Sequence, residues 1–335
     1  MKLHSLSQFR EYLFLFCSSL SDGNEEIPST QEDQRFEMTD RLKPFGVIPP
    51  MLTPFKGKSA SELDIEKTET FAEFLINNGV HGLMPLGTSS EFALLSNQER
   101  KTLVRVVVQK ARGRVPVIAG VSDPGTRNVL DYAIQAEKDG VNAVICTGPY
   151  YYKTNAEGLM IHFQTLIDTV SIPIMVYNIP SYVGYNIPPR VVQKLSQKNP
   201  GRVAGVKFTT NDLTLFLEYL RPLKEEMQIM IGSDALFFSA LELGAAGGIL
   251  GSANVLPRET TSIYNKYSEG DASGSKKIQQ TIDPFTTAMT LGTYPAALKE
   301  ALKLVGLDCG DVRRPLVNLN EEQKKKVRES LSWKL

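Results

Sequence analysis

One lysine stands apart by its neighbours. Lys207 closes the apolar run Val203-Ala204-Gly205-Val206, so a strand there would carry its amine to a strand end among apolar side chains. Burial disfavours the ammonium form, and a neutral amine can attack a ketone and form a Schiff base. The competing reading is a lysine that only reaches past the strand end to water. Lys56 and Lys153 also follow strands, but in polar loops that suit that second reading better. Tyr177 ends a neighbouring run, Ile174–Tyr177, ahead of Asn178-Ile179-Pro180. A phenol there could relay a proton to a carbinolamine or an aldol oxygen, or simply fill space. The stretch Gly87-Thr88-Ser89-Ser90-Glu91 offers closely spaced N–H groups and hydroxyls, a nest suited to a carboxylate or a phosphate, although a turn with a helix cap looks the same. Tyr150-Tyr151-Tyr152 reads as an aromatic lid or an interface anchor.

These residues need a frame that brings them together. From Pro44 onward, short apolar β-branched runs alternate with amphipathic stretches of helical period. The runs are Gly46–Met51, Gly82–Leu86, Val115–Ala119, Ala143–Thr147, Ile174–Tyr177, Val203–Lys207, Ile229–Ile231 and Gly247–Leu250. Flanking Gly and Pro, with no polar alternation, predict buried parallel strands. Helices are expected near 64–78, 96–112, 126–140, 156–170, 188–198, 211–225, 234–244 and 257–269. Ser96 followed by Glu99 is a capping box, and Gly79, Gly113 and Gly140 fall where helices should end. Eight strand–helix units predict an α/β fold, a (β/α)8 TIM barrel over residues 44–270. The alternative, an open doubly wound sheet, would carry a G-x-G-x-x-G turn after its first strand, and none occurs. Residues 271–335 continue in helical pattern only, over 276–290, 295–305 and 320–333, and read as a C-terminal addition packed beside the barrel. In such a barrel chemistry belongs at the C-terminal ends of the strands. Thr88, Tyr151, Tyr177, Lys207 and Thr209 all fall at that end.

Composition narrows the chemistry further. Hydrophobic residues make up 42% and charged residues 22% of 335, a globular mixture that excludes a disordered or collagen-like chain. Thirty-seven basic residues balance thirty-seven acidic ones, a balance that does not support a general basic surface for nucleic acid and leaves only a local patch open. Three widely spaced cysteines and three histidines without ligand spacing suggest neither a disulfide framework nor a metal site. No cofactor is implied. No apolar run is long enough to span a membrane, and a reducing cytoplasm is the expected compartment. Residues 1–37 carry three basic and seven acidic side chains, unlike a transit peptide, and residues 1–43 are expected to be a disordered extension.

Taken together, the segments resemble the N-acetylneuraminate lyase and dihydrodipicolinate synthase family of class I, pyruvate-handling aldolases, over about Lys43 to Leu319. The resemblance rests on Gly87–Glu91, Pro149-Tyr150-Tyr151, Tyr177-Asn178-Ile179-Pro180 with Gly184, Gly205-Val206-Lys207, Gly232-Ser233-Asp234 and Gly310–Leu316. It implies that Lys207 forms the Schiff base with pyruvate or another 2-keto acid, and that Tyr177, hydrogen-bonded to Thr88, relays the proton. It implies that Thr88 and Ser89 hold the carboxylate, that Gly232 and Ile249 line the pocket, and that Tyr151 reaches into a neighbouring subunit's site. A homotetramer, built as a dimer of dimers and without metal, is implied as well.

Two positions depart from the family pattern. Ser90 stands where a second glycine is usual, so it must either avoid positive φ or bear strain. Tyr182 stands where synthases carry an arginine for the aldehyde's carboxylate, and a phenol cannot replace a guanidinium there. Together with Thr209-Thr210, this favours a neutral, hydroxylated aldehyde. The expected activity is cleavage of a 2-keto-3-deoxy sugar acid, of the 2-keto-3-deoxygluconate type, to pyruvate and an aldehyde. The rivals are 4-hydroxy-tetrahydrodipicolinate synthase, 4-hydroxy-2-oxoglutarate aldolase, N-acetylneuraminate lyase and, from another class, a non-catalytic ligand-binding barrel. A phosphate-sugar isomerase would need a strand-end carboxylate base, which the sequence does not supply.

Overall fold

Seven short parallel strands form one curved sheet in the computed structural model, which describes residues 42–335. They are β1 (Gly46–Ile48), β4 (Ile118–Gly120), β5 (Ala143–Thr147), β6 (Ile174–Asn178), β7 (Val203–Phe208), β8 (Gln228–Ile231) and β9 (Gly247–Ile249), in spatial order β1-β9-β8-β7-β6-β5-β4. A small antiparallel pair, β2 (Phe55–Lys56) and β3 (Glu62–Leu63), lies outside it. The expected strand Gly82–Leu86 is present as the eighth stave but not as a regular ladder. It closes the circle through two isolated parallel bridges, Pro50 with Met84 and Leu83 with Val117. Met51 N–H donates to the Met84 carbonyl at 2.9 Å, and Ile118 N–H to the Leu83 carbonyl at 2.9 Å. Pro49, Pro50, Pro85 and Pro116 have no N–H to give, which breaks the ladder on both sides of the stave. The result is a closed (β/α)8 barrel.

Eight helices follow the staves around the outside: α1 (Ile65–Asn77), α2 (Asn97–Ala111), α3 (Thr126–Lys138), α4 (Ala156–Thr169), α6 (Pro189–Lys198), α7 (Leu213–Leu223), α8 (Phe237–Glu242) and α9 (Pro257–Ser268). A single turn, α5 (Pro180–Val183), precedes α6. The capping box of α2 is formed: Glu99 N–H donates to Ser96 Oγ, and Ser96 N–H to the Glu99 carboxylate. Gly79, Gly113 and Gly140 take φ of +81°, +71° and +89°, the left-handed helix endings expected of them.

Alternation sorts each strand into two faces. Val144, Cys146, Val176, Val206 and Phe208 point outward into the helix layer. Ile48, Met84, Ile118, Ile145, Met175, Met230 and Ile249 fill the barrel interior. Tyr177 belongs to that interior set, and Lys207, one residue beyond outward-facing Val206, is its neighbour in register. Three further helices, α10 (Ala272–Ala288), α11 (Ala296–Leu304) and α12 (Glu321–Ser330), complete the chain. They do more than pack beside the barrel, since α10 and the turn after it form one wall of the cavity at the barrel mouth. The extension expected over residues 1–43 falls, but for its last two residues, outside the described residues.

Candidate active site

The C-terminal ends of β6, β7 and β8 surround a cavity of about 590 Å³, a size suited to a small organic ligand. Lys207 stands at its floor, 3% exposed, with its Nζ 4.1 Å from the centre of the Tyr177 ring. Tyr177 is 4% exposed, and its Oη lies 3.4 Å from Thr88 Oγ1. That spacing exceeds a well-formed O–H···O bond; catalytic bonds commonly tighten only around substrate. Gly232 is where the cavity needs the absence of a side chain. A Cβ there would stand 2.0 Å from Thr209 Oγ1 and 3.2 Å from Lys207 Cε. Thr209 Oγ1 is shielded from solvent yet has no hydrogen-bond partner among the described residues. Ile249 closes the floor on the β9 side.

The Gly87–Glu91 loop forms a 3-10 turn over Thr88–Ser90. Ser90 avoids positive φ: that conformation falls on the flanking residues, with Leu86 at +62° and Glu91 at +56°. Ser90 is fully buried and its hydroxyl donates to the Met51 carbonyl at 2.5 Å. Ser89 Oγ lies 2.6 Å from Tyr294 Oη. Glu91 forms a buried ion pair with Lys299 of α11 at 2.8 Å and accepts from Arg313 N–H at 2.7 Å. The loop is thereby tied to the C-terminal segments.

After β8, Asp234 is buried with its carboxylate accepting from Ser252 N–H at 2.7 Å and Gly251 N–H at 3.2 Å. Burial pushes its pKa above the usual carboxylate range, while those N–H groups and the nearby Lys207 charge oppose the rise. Tyr182, on α5, lies at the cavity mouth and is 60% exposed. Gly184 ends α5 at φ +85°; a Cβ there would stand 3.6 Å from Lys153 Cε, so the Lys153 stem passes beside this turn. Tyr151 does not reach this chain's own cavity. It is 85% exposed, takes φ +73° and packs edge-on against Tyr152. Tyr150 instead turns inward against Phe92, and burial raises its pKa to about 12.

The structure thus brings Lys207, Tyr177, Thr88, Ser89, Gly232, Ile249, Tyr182 and Thr209 to one cavity and leaves Tyr151 outside it. Sequence reasoning missed Tyr294, Thr286, Thr287 and Thr290, which form the wall given by α10 and its following turn. The available signal was the turn Gly292-Thr293-Tyr294-Pro295 interrupting a helical region. His81 and His162 are spent on structure: His81 Nδ1 accepts from Val47 N–H, and His162 Nδ1 bonds Thr126 Oγ1. Among the described residues no group of three or more His, Cys, Asp or Glu side chains could hold a metal ion. No described helix is long and apolar enough to cross a membrane.

Residues 43–334 match the model of the dihydrodipicolinate synthetase family. The chain belongs to that family. Its members are carbon–carbon lyases of aldolase type that act through a Schiff base, and this chain is a class I lyase of the same kind. Similar family members include the 4-hydroxy-tetrahydrodipicolinate synthase of Methanocaldococcus jannaschii, 35% identical over 84% of this chain and 95% of that protein. The enzyme of the same name from Archaeoglobus fulgidus is 36% identical over 85% of this chain and 96% of its own length. Among solved structures of the family, a dihydrodipicolinate synthase superposes with a TM-score of 0.82 at 34% identity, over 86% of this chain and 98% of that one. The prophage protein YagE of E. coli K12, solved in complex with pyruvate, superposes with a TM-score of 0.82 at 27% identity, over 86% of this chain and 98% of its own.

Proposed function

We propose that this family member is an aldolase that cleaves a 2-keto-3-deoxy sugar acid, of the 2-keto-3-deoxygluconate type, to pyruvate and an aldehyde. The observation that carries the reading is the cavity wall facing the aldehyde half of the substrate. It is built of hydroxyls (Ser181, Tyr182, Thr209, Thr287, Thr290), with no arginine among the described residues that line the cavity. The unpartnered Thr209 hydroxyl is suited to a sugar hydroxyl, because a buried polar group left unpaired costs about 1–3 kcal/mol.

Lys207 Nζ attacks the C2 ketone and, with loss of water, gives an iminium. The iminium withdraws electrons as the C3–C4 bond breaks, and Tyr177 accepts the proton of the C4 hydroxyl, directly or through the substrate carboxylate. The aldehyde leaves. The enamine is protonated at C3 and hydrolysed, which releases pyruvate and restores the amine. Thr88 and Ser89 hold the carboxylate through hydroxyl and backbone N–H groups. Tyr151, turned outward, completes the site of a neighbouring subunit in a homotetramer. The protein works in the cytoplasm, without nucleic acid, membrane or cofactor.

The names of the similar synthases favour a second reading, condensation of pyruvate with aspartate semialdehyde, in which Lys153 supplies the cation that Tyr182 does not. A panel of 2-keto-3-deoxy acids, with pyruvate release as the readout, separates the two. Turnover of the sugar acids supports the aldolase. Silence across the panel, with efficient use of aspartate semialdehyde, overturns it.

A further inference from the structure

Tyr294 is the one aromatic residue of the C-terminal region that lines the cavity, and it arrives from outside the barrel. The turn that carries it is fastened at its base: Thr293 Oγ1 donates to the Val317 carbonyl at 2.8 Å and receives Val317 N–H at 2.9 Å. Its hydroxyl stands 2.6 Å from Ser89 Oγ across a sequence separation of 205 residues. Gly251 keeps the space open, since a Cβ there would lie 3.2 Å from Tyr294 Oη. Ser89 is 1% exposed, so its hydroxyl has few competing orientations.

A serine hydroxyl has one proton and two acceptor sites. The substrate's carboxylate can only accept, so a Ser89 proton given to it leaves the Tyr294 phenol as the donor across the 2.6 Å contact. With an acceptor site of Ser89 occupied in this way, the serine's own proton is left to point into the cavity. Donation from the phenol also strengthens that outgoing bond.

We propose that Tyr294 is a positioning residue for the substrate's carboxylate: it orients the Ser89 hydroxyl as a donor to the carboxylate of a 2-oxo acid, so that the C-terminal region completes the pyruvate subsite. The inference rests on the assignment of Ser89 to that carboxylate. Its consequence falls on binding of the keto acid rather than on the chemical step.

The test is borohydride trapping of the pyruvate adduct on Lys207 across a range of pyruvate concentrations. Tyr294→Phe keeps the ring and should raise half-saturating pyruvate about tenfold, the loss expected of one hydrogen bond to a charged group. The adduct yield at saturation and kcat should stay within about twofold. Ser89→Ala should show the same rise, and adding Tyr294→Phe to it should do nothing more, because both remove one interaction. Tyr294→Gln, which restores a donor on a different stem, should recover part of the affinity and provides the reading if the Phe variant does not fold. Unchanged half-saturation in both Tyr294 variants, or multiplied effects in the double variant, overturns the inference while leaving the aldolase intact. Absence of any adduct in the unmodified protein overturns the aldolase reading itself.

Discussion

Tyr177 and Lys207 are partners in register on adjacent parallel strands, and the lysine amine stands over the tyrosine ring at 4.1 Å from its centre. Neighbouring strands lie about 4.8 Å apart, so two inward side chains at one level can share a single reacting atom without any loop movement. The same pairing separates their roles. Tyr177→Phe should still form the pyruvate adduct on Lys207, because the ring and its packing remain. Turnover of a keto acid should fall about 10²–10⁴-fold, the usual contribution of a positioned acid–base group. Lys207→Ala should abolish the adduct. Mass spectrometry after borohydride reduction, beside steady-state rates, checks both; an adduct on another lysine would sink the mechanism.

The second prediction concerns the aldehyde. A carboxylate brought into a desolvated site without a cationic partner costs several kcal/mol, and each 1.4 kcal/mol is about a factor of ten in kcat/KM. Glyceraldehyde should therefore condense with pyruvate at least ~100-fold better than aspartate semialdehyde. Tyr182→Arg should narrow that gap by raising turnover of the acidic aldehyde. Efficient use of aspartate semialdehyde by the unmodified protein would favour the synthase.

Acid should destabilise the protein through His162. Its ring is enclosed beside Cys146, with Nε2 3.6 Å from the thiol, and burial lowers its pKa to about 4. The unfolded chain therefore takes up a proton at this residue as pH falls through about 6.5, whereas the folded chain does so only near 4. Stability decreases across that window by about 3 kcal/mol, at 1.36 kcal/mol per unit. Urea unfolding at pH 7 and pH 4.5 measures the slope, and His162→Gln should flatten it.

Lys299 and Glu91 should behave as a pair. Both are buried, the ion pair is 2.8 Å long, and the lysine also donates to the Asp311 carbonyl at 2.9 Å. Burial pulls the Lys299 pKa down, opposed by the Glu91 charge. Lys299→Met leaves a carboxylate unpaired in the interior and should cost about 3–5 kcal/mol. The double variant Glu91→Gln with Lys299→Met should recover part of that loss. Additive costs in denaturant titrations would show that the two charges are not coupled.

How much could be read beforehand differs by element. The strand ends were legible because buried parallel strands are written as apolar runs, and a lysine closing such a run is conspicuous. Lys207 and Tyr177 close such runs, and Thr88 follows one. The wall built by Tyr294 and the threonines of α10 was not legible. Nothing periodic joins Ser89 to a tyrosine 205 residues away; that proximity follows from closure of the whole barrel. α10 starts before the helical period over 276–290 for a local reason. Ala272-Ser273-Gly274-Ser275 has weak helix propensity, yet Asp271 caps Gly274 N–H at 2.8 Å and the helix begins there rather than at 276. The stave Gly82–Leu86 lies where its apolar run predicts, but its prolines leave only isolated bridges.

That stave carries Thr88 and Ser89 just beyond its end, and on its β1 side it is held by three backbone bonds, His81 N–H to Val47 O, Met84 N–H to Pro49 O and Met51 N–H to Met84 O. The barrel is therefore a ring with a seam, and the seam flanks the stave that leads into the Thr88–Ser89 turn. Breathing of the ring concentrates where the fewest amides hold it. Exchange with deuterium at the Met51 and Met84 amides should outpace that at Val206 and Ile229, in the middle of the continuous ladders. A bound 2-oxo acid, anchored on Lys207 at one side and on Ser89 at the other, would bridge the seam and slow that exchange, acting as a clasp on the ring as well as its substrate.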